Sequence, residues 1–431
     1  MFLFYTNLEV YTIFEKDSGN MNLETSFFKN LSLLFLTVLV FFGYLIGNLY
    51  IVLFWAFLIT AFTYLRSPFS LDTENSLWII CLIVSIFSLI HSVDYQESLG
   101  FIFMIALTLV IKIIFEHANN WQDKLVHYFL VASLIHVIAT VLFVPFPDIM
   151  STIAKAILNE ERYLSNFLLF SRGAYAGITE QTSVNAFFAT VGIAIFFSNV
   201  FTLRKNKILN LIFLTLSIVA VLLTAKRSAF LINAIIIYII LFITNRFGRR
   251  KLLSSLFITL FIIGTGIFIM NKIPETQIIF KKNNILKSVN DISNGRYMLW
   301  LDTFEIFKNN LVWGTGINTI HTILNDGTHN IYLQLLAEVG IFGAILFYIT
   351  FIYSFLKSTY YIKNIVKLND VSDTIKRNLL ISNYLQVFFF AYGFVENPLY
   401  NTYFFVPYMI CVAISKSYAR YYLFDKAEVK L

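Results

Sequence analysis

Charge is what this chain has least of. Only 13% of its 431 residues are Asp, Glu, Lys or Arg, against about a quarter in a soluble globule. It has only two cysteines. Cys81 and Cys411 both lie in apolar runs, with no metal or redox spacing, and read as core or lipid-facing fillers. No group of carboxylates and histidines has metal-site spacing. Paired aspartates of a nucleotide-sugar metal site and a glycine-rich phosphate loop with lysine are both missing, so no metal or cofactor is expected. There is no internal repeat, no low-complexity stretch and no pair of matching broken helices, which counts against a secondary transporter. The first thirty residues, with Glu9, Glu15, Lys16 and Asp17, lack the basic start and small-residue cleavage site of a signal peptide. The first helix is expected to serve as the targeting signal.

Hydrophobic residues make up 58% of the chain and include 47 Phe. Apolar runs of roughly 17–25 residues, the length that crosses a bilayer, recur from end to end. The reading is an all-α polytopic membrane protein, one integral-membrane domain over 1–431 with about 12 spans. They fall near 31–46, 49–65, 77–91, 98–115, 124–143, 184–203, 208–224, 228–244, 252–270, 331–356, 379–395 and 402–420. An even number puts both termini on one side. Placing the termini in the cytoplasm puts 21 of the 32 basic residues there, among them Arg246, Arg249, Arg250, Lys376 and Arg377. Most of the remainder sit in two long loops, which cross largely regardless of charge. The formal charge of +7 therefore reflects loop bias, and no nucleic-acid partner is expected.

Residues 145–183 and 271–330 form the two extracytoplasmic loops, each longer than a connector needs to be. In the second, Tyr297, Trp300, Leu301 and Phe304 recur at i, i+3, i+4 and i+7, the pattern of an amphipathic helix lying at the membrane interface. Ile149, Ile153, Ile157 and Leu158 make a weaker version in the first, with Lys155 and Glu160 opposite.

The residues with chemistry collect on the outer side. The turn TAKRS at 224–228 puts Lys226 and Arg227 side by side between two spans, against the positive-inside trend. Arg227 is either a cation snorkelling to outer headgroups or part of an anion site. Arg172 lies in SRGAYAG, where Gly173 and Gly177 allow close backbone approach and exposed amides; a solvated loop arginine is the alternative. Arg296, after Gly295 at the head of the interfacial helix, is a pyrophosphate ligand or a solvated surface cation. Arginine's planar fork suits phosphate oxygens and keeps its charge.

Trp313–Gly343 runs from a polar loop punctuated by Gly314 and Gly316, through His329-Asn330, into an apolar helix carrying Gln334 and Glu338. Histidine can accept a hydroxyl proton near neutral pH, or it can simply anchor the chain at the interface. Asn330, Gln334 and Glu338 follow at i+4 steps, so a polar stripe should descend from His329 into the bundle, with Gly340 and Gly343 giving the other side a small packing surface. Glu338 is equally a structural partner for another span. Glu396-Asn397-Pro398 in a late outer turn, with Asn383 and Gln386 deeper, could line the same cavity. His321 is a weaker competitor for the role of His329, and His136 reads as a hydrogen-bonded core residue.

GTGINTI and THNIYLQLLAEVGIFGAI, preceded by GRYMLW, closely resemble the O-antigen polymerase and O-antigen ligase superfamily, most specifically over 293–345. TAKRSAFL resembles its arginine-containing outer turn and SRGAYAG its earlier loop arginine. Lys226 departs from the family, whose turn more often has a small residue there. The resemblance implies a GT-C-like, metal-independent, inverting glycosyltransferase in the bacterial cytoplasmic membrane, its site facing the exterior. Donor and acceptor would be glycans on undecaprenyl pyrophosphate, with membrane lipid, a chain-length regulator and a flippase as further partners. Arg172 and Arg227 would bind the donor pyrophosphate, with Arg296 beside them, and His329 would be the base. Asn330, Gln334, Glu338, Gly314 and Gly316 would support it. The loops show no extra acceptor-binding domain, which favours a polymerase over a ligase. The alternative from another class is a polysaccharide flippase, but a transport path would carry charges through many spans.

Overall fold

The computed structural model describes residues 21–46, 49–64, 71–203, 205–243, 295–368 and 371–425. Among these there are α-helices and short 3-10 or π turns, and no strand. The order begins α1 (Met21–Phe42), α2 (Leu49–Tyr64), α3 (Thr73–Ser88), α4 (Tyr95–His117) and α5 (Gln122–Leu142). Two short helices follow, α6 (Pro147–Ile157) and α7 (Glu160–Ser171), then α8 (Thr182–Thr202), α9 (Lys207–Leu223) and α10 (Arg227–Ile243). After residue 295 come α11 (Arg296–Asn309), α12 (Ile320–Leu324), the long α13 (Ile331–Ile365), α14 (Asp373–Tyr392) and α15 (Thr402–Ala419).

Side-chain caps start many of these helices by accepting from amides that the first turn leaves unpaired. Asp72 accepts from Asn75 N at 3.0 Å, Asp94 from Glu97 N at 3.2 Å, Asn159 from Arg162 N at 2.9 Å and Asn401 from Tyr403 N at 2.9 Å. Six helices among the described residues are long and apolar enough to cross a membrane. The chain is thus an all-α membrane protein. Helices cover eleven of the twelve expected spans, several of them shorter or less apolar than those six. The stretch 252–270 lies outside the described residues.

The centre of the bundle is α8 and α15, buried along almost their whole length. They meet through rings: Phe187 lies 4.5 Å from Phe404, and Phe389 of α14 stacks on Tyr408 at 4.2 Å between centroids. Aromatic pairing of this kind adds specificity to apolar packing. Both cysteines are buried and free, Cys81 with its sulfur 3.2 Å from Thr350 Oγ1, so both are core residues. His136 is buried with Nε2 2.9 Å from Phe41 O.

Both expected interfacial elements are helical. On α11, Tyr297, Leu301 and Phe304 are exposed, while Thr303 and Phe307 are buried and Trp300 donates to Thr328 O at 2.9 Å. On α6, Ile149, Ile153 and Ile157 face outward while Met150, Ala154 and Leu158 turn in. Outward apolar stripes beside apolar spans suit a membrane interface.

One correction concerns α13. It is broken at Gly340, whose φ of 68° and ψ of −179° are not helical; an uninterrupted span with a small packing face was expected. The loop 311–316 enters the break. Ile341 N donates to Leu311 O, Thr315 N to Ala337 O and Gly316 N to Glu338 O, at 2.9, 3.0 and 2.9 Å. The break frees carbonyls that the loop amides then satisfy.

Candidate functional site

One end of the bundle holds a cavity of about 430 Å³, within the usual range for a small-molecule site. Its wall comes from α7 (Ser165, Leu169), the start of α8 (Glu180–Ser183), the turn before α10 (Lys226), the residue His329 ahead of α13, and the final turn with Glu396, Asn397, Pro398, Asn401 and Phe404. Glu180 is paired with Arg162 at 2.8 Å.

Glu396 is the hub of this wall. Its Oε1 meets Lys226 Nζ at 2.9 Å and Arg296 Nη2 at 3.1 Å, and its Oε2 accepts from His329 Nδ1 at 2.8 Å. The carboxylate is 7% exposed. Burial works against its charge, but the His329 hydrogen bond and the Lys226 charge win and hold it down at about 2. A buried carboxylate accepts and does not donate, so the proton sits on Nδ1 and Nε2 becomes the basic nitrogen. Nε2 lies 3.7 Å from Asp326 Oδ1.

The backbone holds His329 in an unusual conformation, φ 52°, a left-handed region sparsely used by side-chain-bearing residues. Its neighbours are pinned on both sides. Thr328 O accepts from Trp300, Ile331 N donates to Gly393 O at 2.9 Å, and Asn330 caps α13 by accepting from Tyr332 N and Leu333 N at 3.1 Å each. Such an imposed conformation at a cavity wall fits a positioned functional side chain.

The polar stripe exists but does not reach the His329 ring. Thr328 Oγ1 donates to Gln334 Oε1 at 3.1 Å, and Gln334 Nε2 donates to Glu338 Oε1 at 2.8 Å. Glu338, wholly buried, also accepts from Asn318 N at 2.8 Å, Ile320 N at 3.1 Å and Tyr400 Oη at 2.6 Å. It ties loop 311–320 and the final turn to α13, which is a structural task. Gly314 and Gly316 make this possible. A Cβ on Gly314 would stand 2.3 Å from Glu338 C, and one on Gly316 2.4 Å from Ser92 Cα.

The arginines divide. Arg296 is in the hub. Arg227 is half-buried at the start of α10, and it is its neighbour Lys226 that lines the cavity. Arg172 is exposed at the end of α7, outside that lining. The expected exposed amide at Gly173 is instead used to close α7, donating to Phe170 O at 2.9 Å. The Arg172 loop is nonetheless tied to the cation turn, since Tyr175 N donates to Leu223 O at 2.9 Å. Asn383 and Gln386 are core residues outside the cavity lining, Gln386 bonded to Ser382 at 3.0 Å. His321 is half-exposed, 3.9 Å from Glu97. Among the described residues no cluster of three His, Cys, Asp or Glu has metal-binding geometry.

Sequence reasoning left Lys226 undecided and gave Glu396 no more than a place on the wall. The signal was charge balance: a lone carboxylate in an outer turn otherwise faced by cations.

Residues 211–348 match the family model described as O-antigen ligase, bearing out the resemblance to the O-antigen polymerase and ligase superfamily. The matched stretch includes Lys226, Arg227, Arg296 and His329 and excludes Arg172 and Glu396. No curated protein matches the chain. The match implies polymerase- or ligase-type activity by a glycosyltransferase-like enzyme on lipid-linked glycans. With the apolar helices it points to a bacterial inner-membrane protein.

Proposed function

We propose that the chain is a polymerase that joins oligosaccharide repeat units carried on undecaprenyl pyrophosphate into O-antigen or capsular polysaccharide. The reaction takes place at the outer face of the cytoplasmic membrane, in a single integral-membrane domain of about twelve spans with a GT-C-like arrangement. The observation that carries this reading is the cavity lined by His329, Glu396 and Lys226, with Arg296 bonded to Glu396 in its wall.

His329 Nε2 takes the proton of the acceptor hydroxyl as its oxygen attacks the anomeric carbon. The bond from that carbon to the pyrophosphate oxygen breaks on the opposite side, which inverts the configuration. Charge grows on the departing oxygen, and Arg296 and Lys226 are placed to receive it, as fixed cations do in electrostatic catalysis. Arg227 and Arg172, on elements tied to the same turn, extend the cation surface along the lipid-linked diphosphate. Glu396 holds the His329 tautomer and the two cations before substrate arrives. The donor phosphates then share these cations with Glu396.

A ligase, moving the glycan to lipid A core or protein, is the second reading, favoured by the description of the matching family. A flippase would move lipid-linked glycan without making bonds. Reconstitution with a lipid-linked repeat unit separates the three: a product ladder supports the polymerase, single transfer to an added core acceptor the ligase, and translocation without new bonds the transporter. In the same assay His329→Ala should cut chain growth by about 10²–10⁴-fold, the usual contribution of a general base, with membrane accumulation unchanged. A normal ladder from that variant would remove His329 from the mechanism.

A further inference from the structure

The opposite end of the bundle carries a second charged recess that glycosyl transfer at His329 does not use. Lys416 and Arg420 stand at the far end of α15, whose start follows the Glu396 turn, so roughly 25 Å of helix at 1.5 Å per residue separates the two ends. The recess has a volume of about 340 Å³ and lies between the start of α3, the end of α4 and the far ends of α13 and α15.

Its floor is a network of buried ion pairs. Lys112 Nζ is 3.2 Å from Glu74 Oε1 and 2.5 Å from Glu116 Oε1, with exposures of 0–2%. Lys416 Nζ bridges Asp72 Oδ1 and Glu116 Oε2, both at 2.8 Å. Asn75 joins them, accepting from Lys112 Nζ at 2.7 Å and donating to Glu116 Oε2 at 2.8 Å. Each floor carboxylate thus already has a lysine. The rim differs. Lys357 and Arg420 line the recess half-buried, and among the described residues neither has a carboxylate partner. Lys357 Nζ rests 5.5 Å over the Tyr361 ring, and Tyr353 and Thr73 add hydroxyls. Floor and rim together carry four cations against three carboxylates, with the spare positive charge at the mouth.

We propose that this recess binds the phosphate headgroup of an anionic phospholipid from the leaflet opposite the one His329 faces. Basic pockets between spans are suited to such headgroups, and arginine can hold a phosphate in two places at once. The same chemistry would admit free phosphate. The amphiphile is favoured because His117, on this wall, also lines a neighbouring recess of about 660 Å³ with Leu31, Ile59 and Phe62, an apolar place for an acyl chain. A bound headgroup would tie the ends of α3, α13 and α15 together.

Native mass spectrometry of the full-length, delipidated protein titrated with phosphatidylglycerol or phosphatidylcholine tests this. Each cation near a membrane surface is worth roughly a five-fold change in affinity for anionic lipid, so phosphatidylglycerol should be preferred by about 25-fold. The preference should vanish in K357Q/R420Q and persist in K357R/R420K. Equal retention of the two lipids by the unmodified protein overturns the proposal and needs no variant. An undiminished preference in K357Q/R420Q overturns this location. Displacement of phosphatidylglycerol by millimolar inorganic phosphate would make the ligand free phosphate and sink the lipid assignment.

Discussion

At the level of single residues the cavity depends on an unequal contest over Glu396. Burying a carboxylate is costly unless it is paired and hydrogen-bonded, and here a lysine, an arginine and a histidine converge on it. Its depressed pKa, about 2 against an ordinary 4.5, is a stability statement with a definite sign. The folded state holds the charged form more tightly than the unfolded chain does. The stabilisation is therefore complete above about pH 4.5 and is lost as pH falls from there towards 2. The shift corresponds to about 3 kcal/mol. Glu396→Gln should lower the thermal midpoint of the detergent-solubilised protein at pH 7. It should also flatten the further loss between pH 4.5 and 3 relative to the unmodified chain. An unchanged acid limb in that variant would mean the hub contributes nothing. His329 could be found in the sequence because a titratable side chain at a loop-to-helix junction stands out. Glu396 could not be ranked, because its weight comes from three partners that lie 67, 100 and 170 residues away.

At the level of elements, the break in α13 organises the site. Its apolar run reads as one continuous span, and nothing in helical periodicity shows where a backbone turns out of the helix. Gly340 is legible as a glycine but not as a break, since glycine serves equally for close packing and for positive φ. The loop that fills the break explains why Gly314, Gly316 and Gly340 all have positive φ. A Cβ on Gly340 would meet Val312 O at 2.0 Å. Gly295 also has positive φ, yet a Cβ there would meet nothing within 4 Å. The two sites separate backbone strain from collision. Gly295→Ala should cost about 1 kcal/mol, the strain alone. Gly340→Ala should cost several times more and take transferase activity with it, because loop 311–320 and Glu338 lose their register. Thermal midpoints of the two purified variants check this, and equal losses would mean the loop is not held by the break. The interfacial helices were easier to foresee, because an i, i+3, i+4 apolar pattern needs no tertiary information. The pattern did not say that Trp300 turns inward to fix Thr328.

At the scale of the whole molecule, the described charges fall into two groups at opposite ends of one apolar bundle. The end with His329 and Glu396 carries Arg162, Arg172, Lys226, Arg227 and Arg296, three of which pair with Glu180 or Glu396. The end with Lys112 and Lys416 adjoins Arg377, Lys357 and Arg420. Basic residues concentrate on the cytoplasmic side of membrane proteins, and the excess of basic residues in the loops at the Lys112–Lys416 end supports the proposed placement of His329 at the exterior, where lipid-linked repeat units would meet it. The bias was readable from sequence because it needs only loop order. What it could not show was that buried ion pairs would anchor the end opposite His329, since Lys112, Glu74 and Glu116 are scattered through two spans. The orientation can be tested with little background, because Cys81 and Cys411 are both buried. A cysteine placed at Asp326, exposed beside His329, should react with a membrane-impermeant maleimide on intact cells stripped of their outer barrier. One placed at Asp373, at the start of α14, should react only after the membrane is opened. The reverse pattern would put His329 in the cytoplasm, where the proposed polymerisation of exported units could not occur, and would leave the flippase and cytoplasmic-face transfer as the readings to pursue.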